Sequence, residues 1–257
     1  MLLAVDVGNT NTVLGVFDGD HLVDHWRLET TEGRTADEYM VMLRSLLGFS
    51  GIGAEALRAG IICCVVPAVL EPLERMMEVR LGWRPLVVGP GIRTGMPVLT
   101  ENPREVGADR IVNAVAAFER HHRSAIVVDF GTATTFDCVS ERGEYLGGAI
   151  APGLAISADA LYHHAAKLPR VEVSRPRSVI GKNTVASIQA GLFFGYVGLV
   201  DGIVRRLIAE LGGHPLVIAT GGLAPIIASE SETIEEADPL LTLHGLLLLY
   251  GRNTSPL

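Results

Sequence analysis

Short runs of apolar and β-branched residues open the chain and recur near its middle. The lengths of these runs and the turn residues between them predict two similar groups of three strands. The first group is Leu2–Val7, Asn11–Phe17 and His21–Glu29, and the second is Ser124–Phe130, Ala133–Val139 and Glu144–Ile150. Because the same pattern restarts about half a chain length later, we expect a duplicated fold.

Apolar residues at helical spacing lie between and after these strands. Thr35-Ala36-Asp37-Glu38 matches a capping box, in which the Thr and Glu side chains satisfy N–H groups of the first helical turn. Further helices are predicted over Ala68–Arg80, from Asn102 to about His122, over Ser187–Leu211 and over Leu240–Gly251, and further strands over Ala59–Val66, Pro85–Val88 and Pro215–Thr220. The alternation predicts an α/β protein with two domains, residues 1–115 and 116–257.

Composition narrows the classes of function. The chain has 257 residues, of which 48% are hydrophobic, so it can fill the core of one large or two modest domains. Its net charge of −8 argues against the basic surface that nucleic-acid binding requires. No uninterrupted apolar run reaches the ~18 residues of a membrane span, so we expect neither a nucleic-acid nor a membrane partner. The three cysteines lie in apolar runs, which favours free thiols in a reducing cytoplasm.

Two turns share a pattern in which a strand ends near an Asp, a Gly follows two residues later, and small polar residues come next. They begin at Asp6 and Gly8 and at Asp129 and Gly131. Gly lets the backbone approach a phosphate, whose oxygens bind the N–H groups of the bend. A neighbouring carboxylate can hold Mg²⁺ through water. We predict phosphate binding at both turns, although an ordinary hairpin explains either one alone; the spacing leaves open whether Asp129 binds Mg²⁺ or a monovalent cation.

Two more segments carry candidate chemistry. Gly221-Gly222 follows a predicted strand, and glycines there allow an adenine ring or a ribose to lie against the backbone; a helix start is the simpler alternative. The block Gly107-Ala108-Asp109-Arg110 lies inside a predicted helix, where Gly is unfavourable. Asp109 is placed to accept the proton of an attacking hydroxyl, and Arg110 to bind a substrate carboxylate. A solvated ion pair on a helix is the alternative for this block.

The order of these segments resembles that of type III pantothenate kinases. The likeness spans essentially the whole chain, and its most specific part is the Gly-Ala-Asp-Arg block together with the two Asp turns. The motifs are Asp6-Val7-Gly8-Asn9-Thr10-Asn11, Asn102-Pro103-Arg104-Glu105-Val106-Gly107-Ala108-Asp109-Arg110, Asp129-Phe130-Gly131-Thr132-Ala133-Thr134-Thr135, Gly147-Gly148-Ala149-Ile150-Ala151-Pro152-Gly153, Gly181-Lys182-Asn183-Thr184 and Gly221-Gly222. The resemblance implies the acetate and sugar kinase, Hsp70 and actin superfamily, with two ribonuclease-H-like domains and ATP in the cleft between them.

The resemblance also implies an activity and roles for individual residues. The activity is ATP-dependent phosphorylation of pantothenate to 4′-phosphopantothenate, the first step of coenzyme A biosynthesis, by a homodimer that completes the pantothenate pocket at its interface. The implied catalytic base is Asp109. The implied pantothenate-binding residues are Gly107, Ala108, Asp109, Arg110, Thr184 and Thr100. The expected ATP-binding residues are Asp6, Val7, Gly8, Asn9, Thr10, Asn11, Thr12, Val13, Gly131, Thr132, Gly221 and Gly222; the expected metal ligands are Asp6 for Mg²⁺ and Asp129 for K⁺ or NH₄⁺.

One position departs from the family pattern. Two residues before Asn102, where the family commonly has an aromatic residue, this chain has Thr100. We expect a more polar or looser pocket on that side. Two alternatives to the pantothenate kinase are a non-catalytic accessory factor in transcription and a kinase for another small hydroxyl substrate. A non-enzymatic relative would have no chemical reason to keep Asp6, Asp109, Arg110 and Asp129 together.

Overall fold

The computed structural model describes residues 1–254 and divides into two compact units. Unit 1 consists of Met1–Gly95, Asn102–Ala116 and the segment from Thr242 onward, and unit 2 consists of Met96–Glu101 and Ala117–Leu241. The chain changes unit near residue 116. The closing helix, which lies far along the sequence from the first sheet, belongs to unit 1.

Each unit contains one five-stranded sheet. The strands are β1 (Leu2–Val7), β2 (Asn11–Asp18), β3 (His21–Glu29), β4 (Ala59–Cys64), β5 (Leu86–Val87), β6 (Ala125–Phe130), β7 (Ala133–Val139), β8 (Tyr145–Pro152), β9 (Leu216–Gly221) and β10 (Glu236–Ala237). The α-helices are α1 (Ala36–Phe49), α2 (Pro67–Met76), α3 (Ala108–His121), α4 (Leu154–His164), α5 (Thr184–Leu211), α6 (Ala224–Ala228) and α7 (Leu241–Thr254).

The two sheets have the same topology. In unit 1 the strand order is β3-β2-β1-β4-β5, and in unit 2 it is β8-β7-β6-β9-β10. The first three strands of each unit form an antiparallel meander, and the remaining two add parallel to its first strand. This equivalence confirms the predicted duplication and the α/β class.

The capping box predicted before α1 is present. The Thr35 hydroxyl accepts the Glu38 N–H at 3.3 Å, and the Glu38 carboxylate accepts the Thr35 N–H at 2.7 Å. Both bonds satisfy N–H groups that the first helical turn leaves without a helical partner. Behind this cap, α1 buries Tyr39, Met40, Leu43 and Leu47 along one side of the helix.

The predicted single helix from Asn102 to about His122 is wrong in its first part. Pro103–Glu105 forms one 3₁₀ turn capped by the Asn102 side chain, and α3 begins only at Ala108. Gly107 therefore precedes the helix and does not lie inside it, so it does not carry the cost of a helix-interior glycine. The break places Asp109 in the first turn of α3.

Helix α5 supplies much of the core of unit 2. Its buried residues, such as Phe193, Val197, Val200 and Val204, recur at spacings of three and four and pack against β6, β7 and β9. By length and composition alone α5 is apolar enough to cross a membrane, but a core helix with one buried face passes the same test. Helix α4 was not predicted, because it buries only Leu154 and so shows no one-sided apolar pattern.

Candidate active site

The turn after β1 is held by a residue that the sequence did not single out. Its ends join through the Gly8 N–H and the Asn11 carbonyl at 2.9 Å. Thr30, which follows β3, donates its hydroxyl to the Gly8 carbonyl at 2.7 Å and its N–H to the Thr10 carbonyl at 2.9 Å. The same hydroxyl lies 2.9 Å from that of buried Thr12. These bonds fix the turn, whose residues Asn9, Thr10 and Asn11 are exposed.

The negative charges of Asp6 and Asp109 both affect the pKa of one buried thiol, that of Cys63. Asp6 on β1 is in register with Cys63 on β4, and Cys63 is fully buried. Burial raises the pKa of the Cys63 thiol well above its usual range, and the negative charges of Asp6 and Asp109 raise it further. Unit 1 thus brings together two predicted site residues that lie far apart in sequence. The chain's cysteines are free, as expected, with Cys63 and Cys138 buried.

The Asp109 carboxylate folds back over the start of α3. Its Oδ1 accepts the Arg110 N–H at 2.9 Å. A Cβ atom on Gly107 would lie 2.5 Å from that oxygen, so the missing side chain makes room for the carboxylate. Burial raises the pKa of the Asp109 carboxyl above its usual range, although the N–H and the guanidinium charge of Arg110 act in the opposite direction. The result is a carboxylate that binds a proton more strongly than an exposed one.

The corresponding turn of unit 2 is built in a similar way. The Gly131 N–H donates to the Ala133 carbonyl at 3.0 Å, and the Gly153 N–H donates to the Thr132 carbonyl at 3.0 Å. A Cβ atom on Gly153 would lie 2.2 Å from the Thr132 carbonyl oxygen. Only glycine therefore allows the chain to pass this closely behind the turn as it leaves β8 for α4.

Asp129 and Gly221, which were predicted from separate segments, lie against each other. β6 and β9 are parallel neighbours, with Asp129 opposite Thr220. Gly221 has φ +88°, and a Cβ atom there would lie 2.7 Å from the Asp129 Oδ1 and 2.6 Å from the Phe130 carbonyl oxygen. This position requires glycine for both its backbone conformation and its space. Gly222 is exposed in the turn before α6.

The remaining predicted site residues are divided between the units. Gly107 to Arg110 belong to unit 1, whereas Thr100 and Thr184 belong to unit 2. Thr184 is the exposed first residue of α5, after Asn183, whose side chain accepts the Ala186 N–H at 2.9 Å. The Thr100 hydroxyl oxygen is buried without a partner among the described residues, and its methyl group faces Gly147, 3.7 Å from the position of a Cβ there.

Each of the two predicted phosphate-binding turns has one nearby carboxylate that could bind a metal ion, Asp6 in unit 1 and Asp129 in unit 2. Within residues 1–254, no group of three or more His, Cys, Asp or Glu side chains is placed to hold a metal ion. Mg²⁺ in kinases is bound through one or two carboxylates together with substrate phosphates. The isolated carboxylates of Asp6 and Asp129 are compatible with that mode of binding.

Comparison with known proteins identifies the sequence relatives. The family model for type III pantothenate kinase matches residues 2–206. The chain is 60% identical to a type III pantothenate kinase of Myxococcus xanthus, over 98% of this chain and 99% of the relative. It is 61% identical to one from Syntrophotalea carbinolica, again over 98% of this chain and 99% of the relative.

Solved structures with the same fold are more distant in sequence. A ROK family glucokinase from Streptomyces griseus, solved with glucose and AMPPNP, is 14% identical with a TM-score of 0.53 over 98% of both chains. The ethanolamine utilization protein EutJ from Carboxydothermus hydrogenoformans is 17% identical with a TM-score of 0.57, over 96% of this chain and 89% of that one. These similarities concern the fold alone.

Proposed function

The chain belongs to the type III pantothenate kinase family, and from this premise we propose that it transfers the γ-phosphoryl group of ATP to the primary hydroxyl of pantothenate. The products are ADP and 4′-phosphopantothenate, and the reaction is the first step of coenzyme A biosynthesis. The observation that carries the proposal is the 60% identity over 98% of the chain. The chemistry of the residues around Asp6 and Asp109 supports it.

Asp109 is the proposed catalytic base. Burial raises the pKa of its carboxyl, and the Arg110 N–H fixes one carboxylate oxygen. A base with a raised pKa accepts the proton of an attacking hydroxyl more readily, and its fixed oxygen orients that hydroxyl toward phosphorus. Because phosphoryl transfer passes through a loose transition state, orientation is the larger part of this role.

The residues of each turn are proposed to bind ATP. In unit 1 they are Asp6 to Val13, supported by the Thr30 bonds that fix the bend. In unit 2 they are Gly131, Thr132, Gly221 and Gly222, supported by the close passage of Gly153 behind the turn. Asp6 is the proposed carboxylate for a divalent ion, which when bound neutralises charge on the phosphates.

Asp129 is proposed to bind the monovalent cation, K⁺ or NH₄⁺. The fit rests on oxygen atoms, the donors that such cations prefer. The Asp129 Oδ1 and the Phe130 carbonyl oxygen both approach Gly221. Directly before Gly221, the buried hydroxyl of Thr220 has no partner among the described residues.

Pantothenate is proposed to contact Gly107 to Arg110, Thr184 and Thr100. Gly107, Ala108 and Arg110 supply backbone surface and a guanidinium that can form a fork with the pantothenate carboxylate. In unit 2, Thr184 presents an exposed hydroxyl at the start of α5. Thr100 presents a small side chain whose hydroxyl is turned inward, which supports a wider pocket than an aromatic residue would leave.

A homodimer is the proposed assembly. Of the fourteen large apolar side chains that are exposed among the described residues, eight lie between residues 146 and 185. They belong to the edge strand β8, to α4, and to the segment that precedes and begins α5; examples are Ile150, Ile156, Tyr162 and Ile180. Clustered exposed apolar residues are typical of a protein interface. We also propose that the enzyme is cytoplasmic, which its free cysteines support.

ADP release from the purified protein tests the proposed function. ATP, Mg²⁺ and either pantothenate or other small alcohols are supplied, first with K⁺ or NH₄⁺ and then with Na⁺. We expect release that depends on pantothenate and on K⁺ or NH₄⁺. Folded, dimeric protein that releases no ADP with pantothenate would contradict the proposal; release with another alcohol would point to a different substrate, and none at all to a non-catalytic role.

A further inference from the structure

The Thr220 side chain has an unusual environment. It is 1% exposed, and its Oγ1 is buried without a hydrogen-bond partner among the described residues. Nearby hydroxyls differ, since buried Thr134 bonds to the Tyr196 hydroxyl and half-buried Thr135 donates to Asp137 at 3.1 Å. Buried side-chain oxygens almost always have a partner in the protein, an ordered water or an ion. We therefore expect the Thr220 oxygen to bind a water molecule or an ion that occupies the neighbouring space.

The sheet places this oxygen beside Asp129. Asp129 and Thr220 are register partners on the parallel strands β6 and β9. Register partners on neighbouring strands project from the same face of a sheet, so the two side chains are neighbours. On the other side of Asp129, the register partner is Thr135, whose hydroxyl is already committed to Asp137. Thr220 is thus the flanking hydroxyl that is available to a ligand.

The backbone next to Thr220 brings further oxygens to the same place. At Gly221 the left-handed conformation turns the chain, and the Asp129 Oδ1 and the Phe130 carbonyl oxygen lie 2.7 Å and 2.6 Å from the position of a Cβ there. A carboxylate, a carbonyl and a hydroxyl oxygen are therefore all carried by residues at the same end of β6 and β9. Oxygen donors of these kinds bind hard cations, and each also accepts hydrogen bonds from an ammonium ion.

We propose that the Thr220 hydroxyl is a second side-chain ligand of the monovalent cation bound by Asp129. The proposal rests on the proposed function, because it assumes the cation site at Asp129. Thr220 contributes a neutral oxygen, which adds to the affinity and fixes the cation against β9 without changing the net charge of the site. Its loss weakens cation binding while leaving the Asp129 carboxylate in place.

Thermal unfolding as a function of K⁺ concentration tests this role without depending on turnover. Choline chloride keeps the ionic strength constant, and full-length wild-type protein is compared with Thr220→Val, Thr220→Ser and Asp129→Asn. Valine matches threonine in shape but lacks the oxygen, whereas serine keeps the oxygen and loses the methyl group. Because a ligand of the native state stabilises it by mass action, K⁺ binding appears as a rise in Tm.

We expect the Tm of the wild-type protein to rise with K⁺ and that of Asp129→Asn to stay constant. Thr220→Val should need K⁺ concentrations higher by about tenfold for the same rise, as for the loss of one buried polar contact, and Thr220→Ser should stay close to wild type. Without K⁺, Thr220→Val should melt at or above the wild-type Tm, because it buries no unsatisfied hydroxyl.

Three results would overturn the proposal. Identical K⁺ curves for wild type and Thr220→Val would show that the hydroxyl binds only a water or nothing, while the Asp129 site would stand. Equal losses in Thr220→Val and Thr220→Ser would assign the effect to packing of the methyl group. No K⁺ effect in the wild-type protein would remove the cation site itself, and pantothenate-dependent ADP release would then still report on the kinase separately.

Discussion

The proposed chemistry depends most on the carboxylate of Asp109. Asp109→Asn keeps the size of the side chain and an oxygen that can accept the Arg110 N–H. It removes the proton acceptor, and loss of a general base typically lowers kcat by about 10²–10⁴-fold. Steady-state kinetics with saturating ATP and pantothenate measure the loss. A kcat within a few-fold of wild type would exclude Asp109 as the base.

The same variant should have a distinctive effect on stability. Because burial raises the pKa of the Asp109 carboxyl in the folded protein, its ionised form opposes folding at neutral pH. Asp109→Asn should therefore raise Tm at neutral pH, and the gain should shrink as the pH falls through the raised folded-state pKa and be lost below 3.8, the ordinary value for this group. A lower Tm at neutral pH would show that the charged carboxylate stabilises the fold.

Asp201 on α5 is a buried carboxylate whose pKa is lowered, in contrast to the raised pKa of Asp109. Burial acts to raise the pKa of its carboxyl, but hydrogen bonds from the Ser231 hydroxyl at 2.5 Å, the Glu232 N–H at 3.1 Å and the Thr233 hydroxyl at 2.8 Å outweigh burial and lower it. The ionised carboxylate therefore stabilises the fold above pH 3.8, and this contribution is lost as the pH falls through the lower, folded-state pKa.

Asp201→Asn should therefore destabilise the protein most at neutral pH. Its amide group would face the Glu232 N–H, and the charge-assisted bonds would weaken, at a cost of about 1–3 kcal/mol. Urea unfolding across the acid range measures the difference, with the exposed Asp20→Asn as the control. A deficit that does not change with pH would mean that the ionised form has no special role.

At the scale of elements, the end of β9 has a backbone conformation and a space that only glycine fits. Gly221→Ala should lower the free energy of unfolding by ~1–3 kcal/mol or more, because φ is +88° and the new Cβ would press on the Phe130 carbonyl and the Asp129 carboxylate. The KM for ATP should also rise, since the carboxylate is displaced.

Gly198→Ala in α5 is the matched control for this substitution. Apart from its chain neighbours and the backbone of its own helix, no described atom lies within 4 Å of the position of its Cβ, and its φ is not positive. Alanine in a helix interior should stabilise the protein by up to about 1 kcal/mol. If both alanine variants changed stability alike, the requirement for glycine at position 221 would be wrong.

The elements that could be predicted from sequence are those whose pattern is local. Turn residues predict the two meanders, the Thr35 and Glu38 pair predicts the cap of α1, and a one-sided apolar pattern predicts α5. Helix α4 could not be predicted, because its apolar residues do not line one buried side; Leu154 is its only buried residue. The break before α3 was missed because Asn102, Pro103 and Gly107 suit both a helix start and a turn that interrupts one.

The residues of the proposed site were chosen from local motifs, whereas the contacts that support them could not be predicted in this way. Asp6, Asp109 and Asp129 stand in recognisable local motifs. By contrast, Thr30 reaches the turn after β1 only through the register of β2 and β3, and Cys63 meets Asp6 only through the pairing of β1 with β4. Such contacts depend on sheet topology, which no short motif encodes.

At the scale of the whole molecule, the exposed apolar side chains between residues 146 and 185 should mediate dimer formation. Ile156→Lys places a charge on α4, at a residue that is 42% exposed, and should shift sedimentation toward the monomer. Val41→Lys, at a residue that is 66% exposed on α1, is the control and should remain dimeric. A wild-type protein that sediments as a monomer at every concentration, or two variants that behave alike, would contradict the assignment of this face.

Identification of the reaction product tests whether this protein phosphorylates pantothenate. Wild-type protein and Asp109→Asn are incubated with ATP, Mg²⁺, K⁺ and pantothenate, and the mixture is analysed by phosphorus NMR and mass spectrometry. We expect 4′-phosphopantothenate in amounts equal to the ADP formed by the wild-type enzyme, and almost none from the variant. ADP without a phosphorylated pantothenate, or equal product from both proteins, would contradict the proposed function.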